Sequence, residues 1–263
     1  MNNMITGKTR LYFMLGHPIA QVKTPQIFNA MLSDANINSV VLALNVKPEN
    51  LADTVRSLKQ VDNVAGFFVT IPHKISMLEF ADTLLPSSHR TGATNALRRE
   101  KDGSWSADMF DGIGFVNALE KKSLSVKNKR IRLYGAGGAG KAIAVSLADA
   151  GAQAISFVDP SQEKAIAISQ QLQQHCPDTD FGVDSISWQE ADVIINASPV
   201  GMNDNDPMPE AIGHLSPDTL IGDVIIRPER TALITHAEAC GCQWVDGTDM
   251  HSGQMAALMK FFN

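Results

Sequence analysis

The sequence predicts an α/β protein with mostly parallel sheets. Candidate strands and helices alternate along nearly the whole chain of 263 residues, as strands joined by crossover helices do. The second half carries the sharper signal. Arg130-Ile-Arg-Leu-Tyr134 runs straight into Gly135-Ala-Gly-Gly-Ala-Gly140, and the helix-forming stretch 141–148 follows. A second apolar run, 154–158, then ends in an acid, Asp159. An apolar strand, G-x-G-x-x-G, a helix and a later acid form the order that a dinucleotide-binding turn requires. Gly135 lets the chain turn sharply, Gly137 lets a pyrophosphate approach the backbone, and Gly140 lets helix and strand pack closely. Gly138 and Ala139 complete the turn, where the N–H groups at the helix start face phosphate charge.

In the first half, strands are expected at residues 11–15, 40–45, 66–70 and 95–98, and helices at 25–35, 48–61 and 73–84. Pro25 and Pro48 support two of those starts, because proline suits the first helical turn. Lys101-Asp-Gly-Ser104 reads as a tight turn. A helix at about 112–121 leads into the charged stretch 121–129, the best candidate boundary. Beyond it, strands are expected at 131–134, 155–158, 193–196, 220–224 and 243–245, and a last short helix at 253–263.

The composition is that of a soluble globular protein: 44% apolar, 19% charged and 6% aromatic. A formal charge of −6 without a basic stripe gives no reason to expect nucleic acid. No apolar run approaches a membrane span, and the N-terminus lacks a signal-peptide core, so no membrane partner is expected. Cys176, Cys240 and Cys242 form no zinc spacing and no even-numbered disulfide framework, which fits a cytoplasmic location. His17, His73, His89 and His251 follow no ligand pattern, so no metal is expected. Ser198 lacks a G-x-S-x-G context, which removes a hydrolase reading.

Two segments of the first half are hard to explain by packing. Val69-Thr-Ile-Pro-His-Lys74 places a lysine one turn into an expected helix directly after a buried-looking strand. Asp111 stands at another strand-to-helix junction. Taken alone, Lys74 is a solvated helix residue and Asp111 a helix N-cap. Together, beside a cofactor domain, they are candidates for a proton-transfer pair.

From about residue 11 to 262 the chain resembles the shikimate dehydrogenase family, including its quinate and aminoshikimate relatives. The resemblance rests on Gly16-His-Pro-Ile-Ala-Gln-Val-Lys-Thr-Pro25, Val69–Lys74, Gly92-Ala-Thr-Asn95, Asp111-Gly-Ile-Gly114, Gly135–Gly140, Asn196-Ala-Ser-Pro-Val-Gly-Met202 and Ser252-Gly-Gln254, in one order. It implies an N-terminal α/β substrate domain plus a C-terminal Rossmann-type dinucleotide-binding domain. The expected division is 1–111, with helix 248–263 packing back on it, and 112–247. The implied activity is oxidation of a secondary ring alcohol by a nicotinamide nucleotide, with a small cyclic alcohol as substrate and a monomer or homodimer as the assembly. Lys74 and Asp111 would be catalytic; Val22, Thr24, Thr70, Asn95 and Gln254 would face the substrate. Beyond the glycine turn, Asp159, Ser198, Val200, Gly201, Val224 and Gly247 would face the cofactor. Partial burial would bring the Lys74 ammonium towards neutral working pH.

Several positions depart from the family. Its N-terminal loop carries two serines, and here those positions are Val22 and Thr24. Phe68 replaces an asparagine, Met109-Phe110 an Asn-Thr pair, and Ile226 a tyrosine. Each change removes a hydrogen-bonding group, so a ligand less polar than shikimate is expected, because an unpaired buried polar group costs about 1–3 kcal/mol. Alternatively, Phe68 and Phe110 pack into the core and Gln21, Lys23 or His73 restore the contacts. NADP users of the family carry an Asn-Arg-Thr type segment where this chain has Asp159-Pro160-Ser161. A carboxylate accepts from free ribose hydroxyls and repels a phosphate, so NAD is expected over NADP. Two other readings stand beside this one: a nucleotide-binding sensor with little turnover, and an ordinary NADP-dependent shikimate dehydrogenase.

Overall fold

The computed structural model describes residues 5–20, 22–203 and 205–263; Gln21 lies outside them. The chain divides into two compact units, one of residues 1–110 with 258–263 and one of residues 111–257. Among the described residues, no helix is long and apolar enough to cross a membrane.

The first unit contains β1 (Arg10–Gly16), α1 (Thr24–Asp34), β2 (Ser39–Asn45), α2 (Leu51–Lys59), β3 (Val64–Val69), β4 (Thr83–Leu84), α3 (Pro86–Thr91), β5 (Ala96–Arg99) and β6 (Trp105–Asp108). Its sheet has the order β2-β1-β3-β5-β6-β4. β1 pairs in parallel with both β2 and β3, while β5 runs antiparallel to β3 and β6. All six residues of β3 are buried, which explains its unbroken Val-Ala-Gly-Phe-Phe-Val run: a strand covered on both faces has no polar side. Edge strand β2 is partly closed by Asn29, whose amide donates to the Val41 carbonyl at 2.9 Å and accepts from its N–H at 2.7 Å. That side chain takes the place of one residue of a further strand.

The second unit contains α4 (Asp111–Lys121), β7 (Arg130–Tyr134), α5 (Gly138–Asp149), β8 (Ala154–Val158), α6 (Gln162–His175), β9 (Asp180–Val183), β10 (Val193–Asn196), β11 (Leu220–Asp223), α7 (Ala232–Ala239), β12 (Trp244–Val245) and α8 (Gly247–Phe262), whose last turn falls in the first unit. All its strand pairs are parallel, in the order β12-β11-β10-β7-β8-β9. This is the doubly wound dinucleotide-binding order, and its winding reverses between β7 and β10, where such sheets hold ligands. Arg132 lies inside β7 yet is only 4% exposed. Glu210 at 2.8 Å and Asp184 at 2.9 Å neutralise it.

Three expectations are corrected. Residues 73–84 do not form a helix; the chain makes turns and then a 3₁₀ segment at Ser76–Phe80. The Lys74 carbonyl is taken by Thr94 N–H at 2.8 Å, and Leu78 N–H reaches back only to Ile75, at 3.1 Å. An α-helix would need the Lys74 carbonyl for Leu78 itself. The helix expected at 48–61 is a 3₁₀ turn at Pro48–Asn50 followed by α2, which ends at Lys59. The last helix starts at Gly247 rather than 253, because Asp246 Oδ1 accepts from the N–H groups of Thr248 and Asp249, both at 2.9 Å. Such a side-chain cap satisfies donors that the first turn leaves unpaired.

Candidate active site

In the first unit, the loops after β1 and β3 are locked together. A Cβ on Gly16 would lie 2.4 Å from Thr70 Cγ2, so only glycine lets the two loops approach. His17 N–H donates to the Ile71 carbonyl at 3.0 Å. Buried His73 places Nε2 2.7 Å from the Val46 carbonyl, which makes that nitrogen the protonated one. His73 is thus an anchor, not a replacement ligand, and it fixes the turn on which half-buried Lys74 sits. Thr94, fully buried, donates its hydroxyl towards the carbonyls of Ala96 and Asp108. Next to it, Asn95 Oδ1 accepts from Phe110 N–H at 2.9 Å, which sets the orientation of its amide. Thr24 is buried at the first residue of α1, and Val22 is half-buried.

The apolar substitutions divide. Phe68 is 1% exposed, and its ring lies 4.8 Å from Phe28 and 4.6 Å from Phe262. Phe110 is buried against Phe261 at 5.0 Å. Both rings fill the core of this unit, so the expectation that they line a substrate pocket is corrected. Apolar rings of this size gain most from full burial, and the aromatic residues ending α8 provide the partners. Ile226, 39% exposed, is not a core residue.

In the second unit, Asp111 opens α4 and is 5% exposed. Its Oδ1 accepts from Gln254 Nε2 at 2.7 Å. The contact exists because α4 and α8 approach until only glycine fits. A Cβ on Gly253 would lie 2.4 Å from the Gly114 carbonyl, and one on Gly114 would lie 2.7 Å from that of Met250. Asn117 adds a bond to the Gly253 carbonyl at 3.0 Å. The sequence reading picked out Asp111 and Gln254 but missed Gly253, whose signal was its place in Ser252-Gly-Gln254.

The glycine turn follows β7 at the reversal of winding. Gly135 has φ +96°, a left-handed conformation that favours glycine. Its Cβ would press on the Ala197 carbonyl at 2.7 Å, so the turn abuts the segment after β10. A Cβ on Gly140 would lie 1.9 Å from the Gly135 carbonyl. A Cβ on Gly137 or Gly138 would meet no protein atom within 4 Å. Packing therefore demands Gly135 and Gly140 but not the pair between them, which open the backbone at the start of α5 to an incoming group. Ala139 lies in that first turn. The residues fit a pyrophosphate-bearing cofactor.

Asp159 Oδ2 accepts from Ala136 N–H at 2.8 Å and its Oδ1 from Ser161 N–H at 2.9 Å. Partial burial pushes its carboxyl up, and those two backbone donors, with Lys164, more than offset this and hold it below the usual range. Asn196 Oδ1 accepts from both N–H and hydroxyl of Ser198, at 3.1 and 2.7 Å, while its Nδ2 donates to the Val200 carbonyl at 2.9 Å. Gly201 completes this turn at φ +102°. Gly247 lies against β11's end, where a Cβ would be 2.4 Å from the Val224 carbonyl.

A family model described as the shikimate dehydrogenase substrate binding domain matches residues 14–97. The shikimate dehydrogenase (NADP(+)) of Bacillus licheniformis is 34% identical over 96% of this chain and 91% of its own length. This chain belongs to the shikimate dehydrogenase family. Among solved structures, the 5-ketofructose reductase of a Gluconobacter strain, in ligand-free form, superposes with a TM-score of 0.89 at 29% identity, covering 97% of this chain and 92% of that one. Shikimate 5-dehydrogenase from Listeria monocytogenes, in complex with shikimate and NAD, gives 0.91 at 26% identity, covering 98% and 93%. The family similarity supports a nicotinamide-dependent oxidoreductase acting on a CH–OH group.

Proposed function

We propose that this chain is a shikimate-type dehydrogenase, interconverting a secondary ring alcohol and its ketone, with shikimate itself as the leading candidate substrate. The observation that carries this reading is the Asp111–Gln254 hydrogen bond of 2.7 Å, formed between residues 143 positions apart where Gly114 and Gly253 bring two helices together. That bond holds a buried carboxylate in one orientation at the start of α4, where the family resemblance expects a catalytic acid. With Phe68 and Phe110 in the core, the case for a distinctly apolar substrate weakens, and the relatives' shikimate activity becomes the better guide.

A bound nicotinamide nucleotide supplies the hydride acceptor. Lys74 takes the hydroxyl proton on oxidation and returns it on reduction. Asp111, held by Gln254, would accept a hydrogen bond from the ring hydroxyl next to the reacting one and so orient the substrate. Asn95 and Gln254 orient the other hydroxyls, and Thr24 and Thr70 offer hydroxyls to the carboxylate. Gly137, Gly138 and Ala139 would hold the pyrophosphate, and Ser198, Val200, Gly201, Val224 and Gly247 would contact the rest of the nucleotide. Incubating the protein with shikimate and each nicotinamide nucleotide, then identifying the ketone by mass spectrometry, tests the reaction. No ketone from shikimate or quinate with either nucleotide would count against it.

A second reading concerns the cofactor alone. The Bacillus relative is named for NADP(+), whereas one local feature here favours NAD: the turn after β8 is Asp159-Pro160-Ser161, an ionised carboxylate with no arginine following. Losing an arginine–phosphate contact and gaining a repulsive carboxylate should leave NAD the tighter ligand by roughly 10-fold or more, since a hydrogen bond to a charged group is worth about 1.5–3 kcal/mol. Calorimetric titration with both nucleotides measures this. Asp159→Asn should narrow the gap while keeping an acceptor for Ala136 N–H. NADP binding as tightly as NAD would return the assignment to the relatives' cofactor.

A further inference from the structure

We propose that Asp223 is a positioning residue for the nicotinamide nucleotide, acting through Asn196 on the turn from Ala197 to Gly201. The inference rests on the dehydrogenase reading above. Asp223 ends β11 with 0% exposure, and Asn196 ends the adjacent β10, also with 0% exposure. The strands are in register at these two residues. Asp223 Oδ1 accepts from Asn196 Nδ2 at 3.1 Å and from Ile225 N–H at 3.1 Å, and its Oδ2 accepts from the Thr231 hydroxyl at 2.7 Å.

The Asn196 amide spans the turn, with its oxygen on Ser198 and its nitrogen on the Val200 carbonyl. Only one amide orientation satisfies these partners, and the Asp223 carboxylate holds it more tightly by accepting from the same NH₂. The same turn presses its Ala197 carbonyl against Gly135, at the start of the dinucleotide turn. Asp223 thus sets a segment on the ligand side of the sheet while being sealed away from solvent itself.

The arrangement is unfavourable for stability, which argues against a purely structural role. Burial pushes the Asp223 carboxyl up to about 6; hydrogen bonds from Thr231, Ile225 and Asn196 oppose this, and the charge of Asp246 adds to it. Asp246 in turn lies 3.7 Å from Arg230. Arg227 and Glu229, on the segment between β11 and α7, are exposed. A carboxyl whose pKa is higher in the folded state weakens folding as pH rises through that window, and the penalty is complete above about pH 6. A neutral asparagine would keep most of the hydrogen bonds without it. Asparagine in place of Asp223 offers Asn196 and Ile225 only a neutral carbonyl, so the charge-assisted bond that holds the Asn196 amide is lost.

The test measures nicotinamide nucleotide affinity by calorimetry and Tm by calorimetric melting, for wild type, Asp223→Asn, Asn196→Ala and the double variant. We expect Asp223→Asn to melt at or above the wild-type temperature at neutral pH, yet to bind the nucleotide roughly 10-fold more weakly, the low end of the range for losing a charge-assisted bond. In the Asn196→Ala background, Asp223→Asn should change affinity no further, because the residues act as one unit. Wild-type affinity should fall relative to Asp223→Asn as pH drops through about 6, closing the gap between them. This comparison holds even if Asn196→Ala does not fold. Additive losses in the double variant, or a wild-type/variant gap that is absent or unchanged with pH, would overturn the proposal alone. A wild type that binds neither NAD nor NADP would overturn the dehydrogenase reading along with it.

Discussion

Lys74→Ala should lower kcat for shikimate oxidation by about 10²–10⁴-fold, the usual contribution of a general acid–base group, while nicotinamide nucleotide affinity stays at the wild-type value. Lys74 sits on a turn fixed by its own carbonyl to Thr94 N–H and by the His73 ring to the Val46 carbonyl. Both anchors survive truncation of the side chain, and the melting temperature reports whether the variant keeps its fold. Lys74→Arg sharpens the test. Arginine preserves the positive charge but does not release its proton near neutral pH, so it should be nearly as slow as alanine if proton transfer is the role. Steady-state kinetics on the three proteins, with melting temperatures as the fold control, gives the answer. If Lys74→Arg retained most of its activity, Lys74 would be a point charge and the acid–base assignment would be wrong.

The glycines of the dinucleotide turn should separate into two classes on substitution. Gly140→Ala drives a Cβ to 1.9 Å from the Gly135 carbonyl, a backbone atom that cannot swing aside. Overpacking of this kind costs about 3 kcal/mol or more, which lowers Tm by roughly 6–12 °C in a chain of this size. Gly137→Ala meets no atom within 4 Å and has φ −85°, which alanine adopts readily. Its Tm should hold or rise slightly, since alanine reduces the freedom of the unfolded chain by about 0.4–1 kcal/mol. Yet its Cβ would occupy the space through which a pyrophosphate reaches the start of α5. Losing one such charge-assisted contact weakens nucleotide binding by roughly 10–100-fold. Thermal melts paired with nucleotide titrations distinguish the classes. A Gly137→Ala protein that binds normally would show that the open space there is not the phosphate site.

Much of this was legible because it is local. The glycine turn, its flanking strands and the acid after β8 announce themselves within 30 residues, and strand–helix alternation points to a parallel sheet. What the sequence hid depends on partners far along the chain. Phe68 reads as a lost substrate contact, but its ring belongs with Phe28 and Phe262, and only the returning end of α8 reveals that. Arg132 in the middle of an apolar strand has no local explanation until Asp184 and Glu210 arrive. The turn bearing Lys74 looks helical by composition, and a single long-range bond from Thr94 diverts it. Asp223 carries no local signal in the sequence, because its significance lies in Asn196 on the next strand.

The most direct test of the central claim is hydride transfer itself. Wild-type protein, mixed with shikimate and either NAD or NADP, should generate the near-ultraviolet band of the reduced nicotinamide, with kcat/KM at ordinary enzyme levels of about 10⁴ M⁻¹s⁻¹ or more for the preferred nucleotide. Lys74→Ala under the same conditions should give a trace. If the wild type binds nucleotide but produces no reduced nicotinamide from shikimate, quinate or their reduced-polarity analogues, the chain keeps the family's fold without its chemistry, and the dehydrogenase assignment is wrong.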